Sequence, residues 1–206
     1  MPKKEKIPAA VARRLPKYQR LLAMMKKDGV ESVSSQQLAD MIGVTASQIR
    51  QDLNCFGVSG RQGCGYRVGK LQEALDGIFQ IQQLTDAIII GAADAVRTLT
   101  VLLDFASCGY RLIGEFSSDD STSLQSEAEM YPFCDKNRPL TAIVCTPKAE
   151  TRRVVQALAE HGVTAVCNYS SEELPENFCG MNVENVALSD ALLKLRYRAA
   201  KKTDNV

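Results

Sequence analysis

Along residues 11–25 the apolar positions Val11, Leu15, Tyr18, Leu21, Leu22 and Met25 recur at spacings of three and four, the period of an amphipathic helix. Pro16 stands where a helix starts or kinks, and Lys26-Lys27-Asp28-Gly29 offers basic residues for a last turn and a glycine stop. A shorter helix is predicted from Ser34, with Gln37 placed for a capping box, through Leu38, Ala39, Met41 and Ile42 to Gly43. Gly43-Val44-Thr45 makes a tight turn, and Thr45 with Gln48 repeats the capping pattern ahead of an apolar stripe of Ile49, Leu53 and Phe56. Two short helices joined in this way predict a helix-turn-helix. Beyond Phe56, residues 57–68 alternate glycines with polar and apolar positions, which predicts a basic hairpin, or wing, rather than a helix.

A different rhythm follows. Residues 68–79 read as a helix, 86–91 as an apolar strand ending in glycine, 92–105 as a helix, 110–116 and 142–147 as strands, 149–160 as a helix and 165–168 as a strand. Strands alternating with helices predict a doubly wound parallel sheet. The expected fold class is therefore α/β: an N-terminal winged helix-turn-helix domain over residues 1–80, joined to a C-terminal Rossmann-like doubly wound parallel sheet over 81–188. Residues 189–206 form a terminal helix and tail. Leu188, Leu192, Leu193, Leu195 and Tyr197 make that helix apolar enough to be buried, and residues 201–206 read as a frayed polar tail.

A length of 206 residues suits a smaller domain joined to a larger one, and the charge follows the same division. Residues 1–70 hold 13 Lys and Arg against 5 Asp and Glu, which leaves 12 against 19 for the rest of the chain. A basic first part on an acidic body points to a polyanionic partner for that part alone, nucleic acid ahead of a membrane surface. No run of about 18 apolar residues and no signal-like stretch is present, so a cytoplasmic protein with no membrane partner is expected. Seven cysteines without a C-x-x-C pair fit neither a disulfide framework nor a zinc site. They are read as mostly buried thiols, with no metal; a thiol switch would fall on Cys55 or Cys64.

The chemistry of the second short helix fits DNA. With Ile49 and Leu53 inward, about 3.6 residues per turn places Ser47, Arg50, Gln51 and Asn54 on the opposite face. Ser, Gln and Asn hydrogen-bond to base edges, and Arg takes guanine or phosphate. Gln48 belongs to the candidate set, although capping competes for its side chain. Asp52 would repel phosphate and is read as structural, paired with an arginine. Arg61 and Arg67 in the wing are placed to reach phosphates or the minor groove. The only histidine, His161, precedes Gly162 at a helix end and is read as a cap against terminal carbonyls. Without a second histidine or a nucleophile motif, hydrolysis and acyl transfer are unsupported, and no enzyme activity is expected.

Gly91-Ala92-Ala93-Asp94-Ala95-Val96 stands where a dinucleotide-binding domain carries G-x-G-x-x-G. Only the first glycine is kept. The Ala93 side chain crowds a pyrophosphate, Val96 is expected to push the helix from the strand, and Asp94 puts the protein's own charge at the helix N-terminus. Ser117 and Ser118 follow Phe116 where a ribose-binding carboxylate belongs, leaving Asp119 as its substitute.

The residues Ile7-Pro8, Arg14-Leu15-Pro16-Lys17-Tyr18, Ser47-Gln48-Ile49-Arg50, Asp52-Leu53, Phe56-Gly57 and Gly63-Cys64-Gly65-Tyr66 resemble the signature of the Rex family. With Thr146-Pro147, Asn168-Tyr169 and Val183-Glu184-Asn185-Val186 the resemblance runs along almost the whole chain. It implies a redox-sensing transcriptional repressor that binds double-stranded operator DNA as a homodimer and releases it when NADH rises relative to NAD. It also implies a terminal helix packed between the partner's domains, and on its motifs Arg14, Lys17 and Tyr66 join the DNA-binding candidates. The chain departs from the family pattern at Gln51, where many members carry lysine, in the glycine loop and ribose carboxylate, at Leu102 in place of tyrosine, and at Ala187 in place of aspartate. The expectation is a Rex-like repressor whose cofactor positions, Gly91, Ala92, Ala93, Asp94, Ala95 and Val96, are degenerate and whose NAD(H) sensing is weakened or lost. The alternatives are a working NADH/NAD sensor with a shifted pose, a sheet that takes another nucleotide or an acyl-CoA-like molecule, and a cysteine-based oxidation sensor. An NAD-dependent oxidoreductase is disfavoured by the same loop and by the lack of an acid/base pair.

Overall fold

Proline at the start of the first helical period divides it. A single turn, α1 (Ala9–Ala12), is followed by α2 (Leu15–Lys27), which carries Pro16 in its first turn, where the missing N–H costs no hydrogen bond. The computed structural model describes residues 7–60, 65–119 and 124–203, and the chain divides into two units, residues 1–82 and 83–206.

In the first unit β1 (Ser32–Val33) leads to Ser34, which caps α3 (Ser35–Ile42) with a complete capping box. Ser34 Oγ accepts from the Gln37 N–H at 3.1 Å, and the Ser34 N–H donates to Gln37 Oε1 at 2.8 Å. Gly43 ends α3 at φ 82°, the left-handed conformation glycine adopts without strain. Thr45 caps α4 (Ala46–Cys55), accepting from the Gln48 N–H at 3.2 Å, but the Gln48 side chain does not return the bond. Next come β2 (Tyr66–Arg67) and α5 (Val68–Phe79). The expected hairpin is corrected here: β2 pairs antiparallel with β1, Val33 opposite Tyr66, rather than with residues 57–60. Arg61 and Cys64 lie outside the described residues. Tyr18, Leu22, Leu38, Ile49, Leu53, Leu71 and Leu75 form the buried centre, each contributing about 1.5–3 kcal/mol by leaving water.

The second unit runs β3 (Thr85–Gly91), α6 (Ala93–Leu102), β4 (Tyr110–Ser117), β5 (Gln125–Ser126), α7 (Glu127–Asn137), β6 (Thr141–Cys145), α8 (Lys148–Glu160), β7 (Ala165–Asn168), β8 (Asn177–Phe178), β9 (Met181–Asn185) and α9 (Leu188–Thr203). Its sheet has the order β5-β4-β3-β6-β7-β9-β8, parallel except for the β8/β9 edge hairpin. Helices cover both faces, as period-two strands with two apolar sides require. Ile88 and Ile90 pack with Met130, Val154 and Leu158, whereas Ala87 and Ile89 pack with Val96 and Leu99. The chain order reverses between β3 and β6, and in such sheets the crevice beyond those strand ends receives ligands.

Several expectations change. The helix expected over 92–105 stops at Leu102, because Leu103 is extended, and a separate 3₁₀ turn spans Ala106–Cys108. Helix α7 escaped the pattern because Pro132 reads as a breaker, although Ser126 and Glu129 form a capping box at its start. The β8/β9 turn depends on left-handed Cys179 and Gly180, at φ 52° and 80°, a pair that matches the twist of a tight hairpin. Cys134 and Cys145 are buried and Cys167 half-buried, but Cys55, Cys108 and Cys179 are exposed, so the thiols described are not mostly buried. Burial pushes the Cys145 thiol up to about 12 and the Cys134 thiol to about 11, away from the reactive thiolate. His161 ends α8 with its backbone, yet its ring Nδ1 lies 2.8 Å from Asp135 Oδ1 and its face stacks on Tyr131, so the imidazole does not reach the helix carbonyls.

Helix α9 differs most from its expected burial. Leu188, Leu192, Leu193, Leu195 and Tyr197 are 59–65% exposed within the single chain, and the helix continues to Thr203, into the expected tail. Among the described residues no helix is long and apolar enough to cross a membrane, and no group of three or more His, Cys, Asp or Glu is placed to hold a metal.

Candidate functional site

Helix α4 is fastened to the first unit through Asp52. This fully buried carboxylate accepts from Arg14 Nε at 2.7 Å and Nη2 at 2.8 Å, from the Tyr18 hydroxyl at 2.9 Å and from Gln48 Nε2 at 2.9 Å. Burial pushes the Asp52 carboxyl up, but the hydrogen bonds from Arg14, Gln48 and Tyr18 prevail and hold it below its ordinary value. Burial and then Asp52 raise the Tyr18 phenol in turn. The one acidic side chain of α4 thus points inward and is neutralised by a two-pronged guanidinium contact, the geometry that makes arginine–carboxylate pairs strong.

The same network engages part of the candidate set. Arg14 is spent on Asp52, because both nitrogens nearest the carboxylate donate to it, and it supports α4 from behind. Gln48 also turns its amide to Asp52 rather than outward. Tyr66 is buried at the base of the wing, so close to Gly60 that a Cβ added there would lie 2.9 Å from its ring. Ser47, Arg50, Gln51 and Asn54 remain together on the exposed face of α4, and Arg50 Nη1 donates to Ser35 Oγ at 3.2 Å, which steadies its guanidinium against the start of α3. Lys17 and Arg67 are exposed as well. The expectation that Asp52 pairs with an arginine matches this arrangement; the part played by Tyr18 was legible only as a helix-face apolar position.

The glycine loop sits at the C-terminal end of β3. A Cβ on Gly91 would fall 2.3 Å from the Cys145 carbonyl oxygen and 2.5 Å from its Sγ, so the surviving glycine is demanded by the approach of β6 itself. The Ala92 N–H donates to the same carbonyl at 3.3 Å. Ala93 is buried at the first position of α6, and its N–H donates to Asp119 Oδ2 at 3.0 Å. Two expectations are corrected at this loop. Asp94 does not answer the helix N-terminus: its side chain is 99% exposed and pairs with Arg97 at 3.2 Å, while Asp119 arrives from the end of β4. Val96 does not part helix from strand; it is fully buried and fills the space against Ile89, Leu99 and Ile143, with Ala95 packed alongside.

A dinucleotide's pyrophosphate needs free N–H groups and close backbone approach at this position. Here it meets a methyl group and a carboxylate, so the residues present do not fit that group in its usual pose. Elsewhere at the strand ends, the two asparagines of the resembling motifs have a structural task. Asn168 Nδ2 donates to Glu172 O at 2.6 Å and Asn185 Oδ1 at 2.8 Å, and Asn185 exchanges hydrogen bonds with the Leu174 backbone. They shape the turn after β7, which the sequence alone did not reveal.

A family model described as "Putative DNA-binding protein N-terminus" matches residues 6–54. The "Redox-sensing transcriptional repressor Rex" of Clostridium acetobutylicum is 36% identical over 205 residues, which cover 95% of this chain and 94% of that relative. Among solved structures, RSP in complex with beta-NAD+ and operator DNA is 32% identical, with a TM-score of 0.81 and coverage of 97% of this chain and 95% of that one. RSP in complex with beta-NADH is 31% identical, with a TM-score of 0.82 and coverage of 97% of each. Identity at this level over nearly the whole length, on the same overall fold, means that the chain belongs to the Rex family of redox-sensing transcriptional repressors, regulators rather than enzymes.

Proposed function

We propose that this chain binds double-stranded operator DNA as a homodimer through α4, represses transcription in the cytoplasm, and responds to NAD(H) weakly or not at all. The observation that carries the DNA reading is the exposed face of Ser47, Arg50, Gln51 and Asn54, held rigid by the buried Asp52 network. Those four side chains supply base-edge donors and acceptors for the major groove. Lys17 and Arg67, with Arg61 from the wing sequence, supply phosphate contacts that position the helix. The neighbour described with operator DNA supports the same partner.

The homodimer reading rests on α9, residues 189–206 being its dimerisation segment. Leucines exposed from Leu188 to Leu195, along about two helical turns, with Tyr197 beyond them, are a larger apolar surface than a lone chain keeps in water, and a second copy is the partner that buries them. The weakened NAD(H) response rests on Ala93 and Asp119. A second reading, a working NADH sensor with a shifted pose, draws on the neighbours described with NAD+ and NADH.

Operator binding by the full chain, measured with and without saturating NADH, tests the proposal. Tight binding that NADH leaves unchanged supports it. Release by NADH restores the working sensor, and failure to bind operator overturns the DNA reading.

A further inference from the structure

We propose that Asp119 closes the phosphate end of the β3/β6 crevice from within, so that the chain excludes NAD(H) by supplying its own anion to the N-terminus of α6. The inference rests on the reading that NAD(H) sensing is weakened or lost, and names the group responsible.

The segment that carries Asp119 is latched to the strand end. The Ser118 N–H donates to the Gly91 carbonyl at 3.0 Å, and the Asp119 N–H donates to Ser117 Oγ at 3.0 Å. That turn delivers Asp119 Oδ2 to the Ala93 N–H at 3.0 Å, at the start of a ten-residue helix. A helix terminus carries roughly half a positive charge, which one carboxylate answers in full. An arriving pyrophosphate would find the donor taken and a like charge within a few ångströms. Asp119 is therefore on the phosphate donor, not free at the strand tip to grip a ribose. The Ala93 methyl adds a steric obstacle independent of charge, so the two barriers are separable by substitution. Ser118 Oγ, buried with no hydrogen-bond partner among the described residues, is a polar group at the same strand end that this closed arrangement leaves unused.

Calorimetric titration of NADH into the full-length chain and the variants Asp119→Asn, Asp119→Ala, Ala93→Gly and Asp119→Ala/Ala93→Gly tests the inference. Asp119→Asn keeps the volume and an acceptor while removing the charge, so the test stands if Asp119→Ala folds poorly. Relief of one like-charge contact predicts roughly tenfold tighter NADH binding by either Asp119 variant, and a further gain in the double variant. Unchanged or weaker binding by the Asp119 variants overturns the inference; weaker binding makes Asp119 the ribose ligand instead. If no variant and no unaltered chain binds, the inference falls while the reading of lost sensing stands. Tight binding by the unaltered chain overturns both.

Discussion

Asp52 in the first unit and Asp119 in the second each bring a carboxylate to a helix on which a candidate site is built, and their surroundings give them opposite consequences. Asp52 lies inside α4, surrounded by Arg14, Tyr18 and Gln48, and its charge is cancelled where nothing outside can meet it. The outer face of α4 is left polar and free of negative charge. Asp119 lies outside α6, on an exposed turn, and sets its charge on the donor that a phosphate would use. The same functional group builds a binding surface when buried behind a helix and fills a binding site when placed at the helix tip.

The largest way to break this contrast is Asp52→Ala. It leaves Arg14 and Tyr18 without their acceptor and should cost about 3 kcal/mol of stability, read by urea denaturation, with loss of operator binding. Asp52 also carries a pH dependence. Because its folded carboxyl titrates below the unfolded value of 3.8, its contribution is present above that value and disappears as pH falls through the lower folded one. The acid limb of the stability curve should therefore flatten in Asp52→Asn. Next in size, Arg50→Ala should weaken operator binding by about 1–3 kcal/mol if its guanidinium meets a base; equal affinity removes it from the reading face. Ser34→Ala, which opens the α3 capping box, should lower stability by about 1 kcal/mol without changing which operator is chosen. The same deletion at Asp119 should cost about 1 kcal/mol, since one part-buried hydrogen bond is lost, which sharpens the comparison with Asp52. Smallest of all, Arg67→Ala should leave sequence preference intact and reduce the salt slope of operator binding by about one.

Much of the fold is written locally. Ser34 with Gln37 and Gly43 bound α3, and the run ending at Gly91 marks a first parallel strand, because caps and periodicity act over a few residues. Helix α7 and the β8/β9 hairpin were not legible: Pro132 breaks the first pattern, and a left-handed cysteine at position 179 has no sequence signal. The α4 face was legible from its spacing, but the inward contacts of Arg14 and Gln48 and the burial of Tyr66 were not, because a basic or polar side chain looks alike whether it faces solvent or a buried carboxylate.

By itself, then, the sequence determined most of the helix and strand order, the basic first part, the polar outer face of α4 and the loss of the glycine loop, all of which depend on neighbours a few positions apart. Only the tertiary structure decided that Gly91 is required by Cys145, that Arg14 belongs to Asp52 across 38 positions, and that Asp119 reaches Ala93 across 26. Those outcomes depend on which strands and helices become neighbours, and a carboxylate's effect on a site depends on whether folding leaves it behind the helix or in front of it.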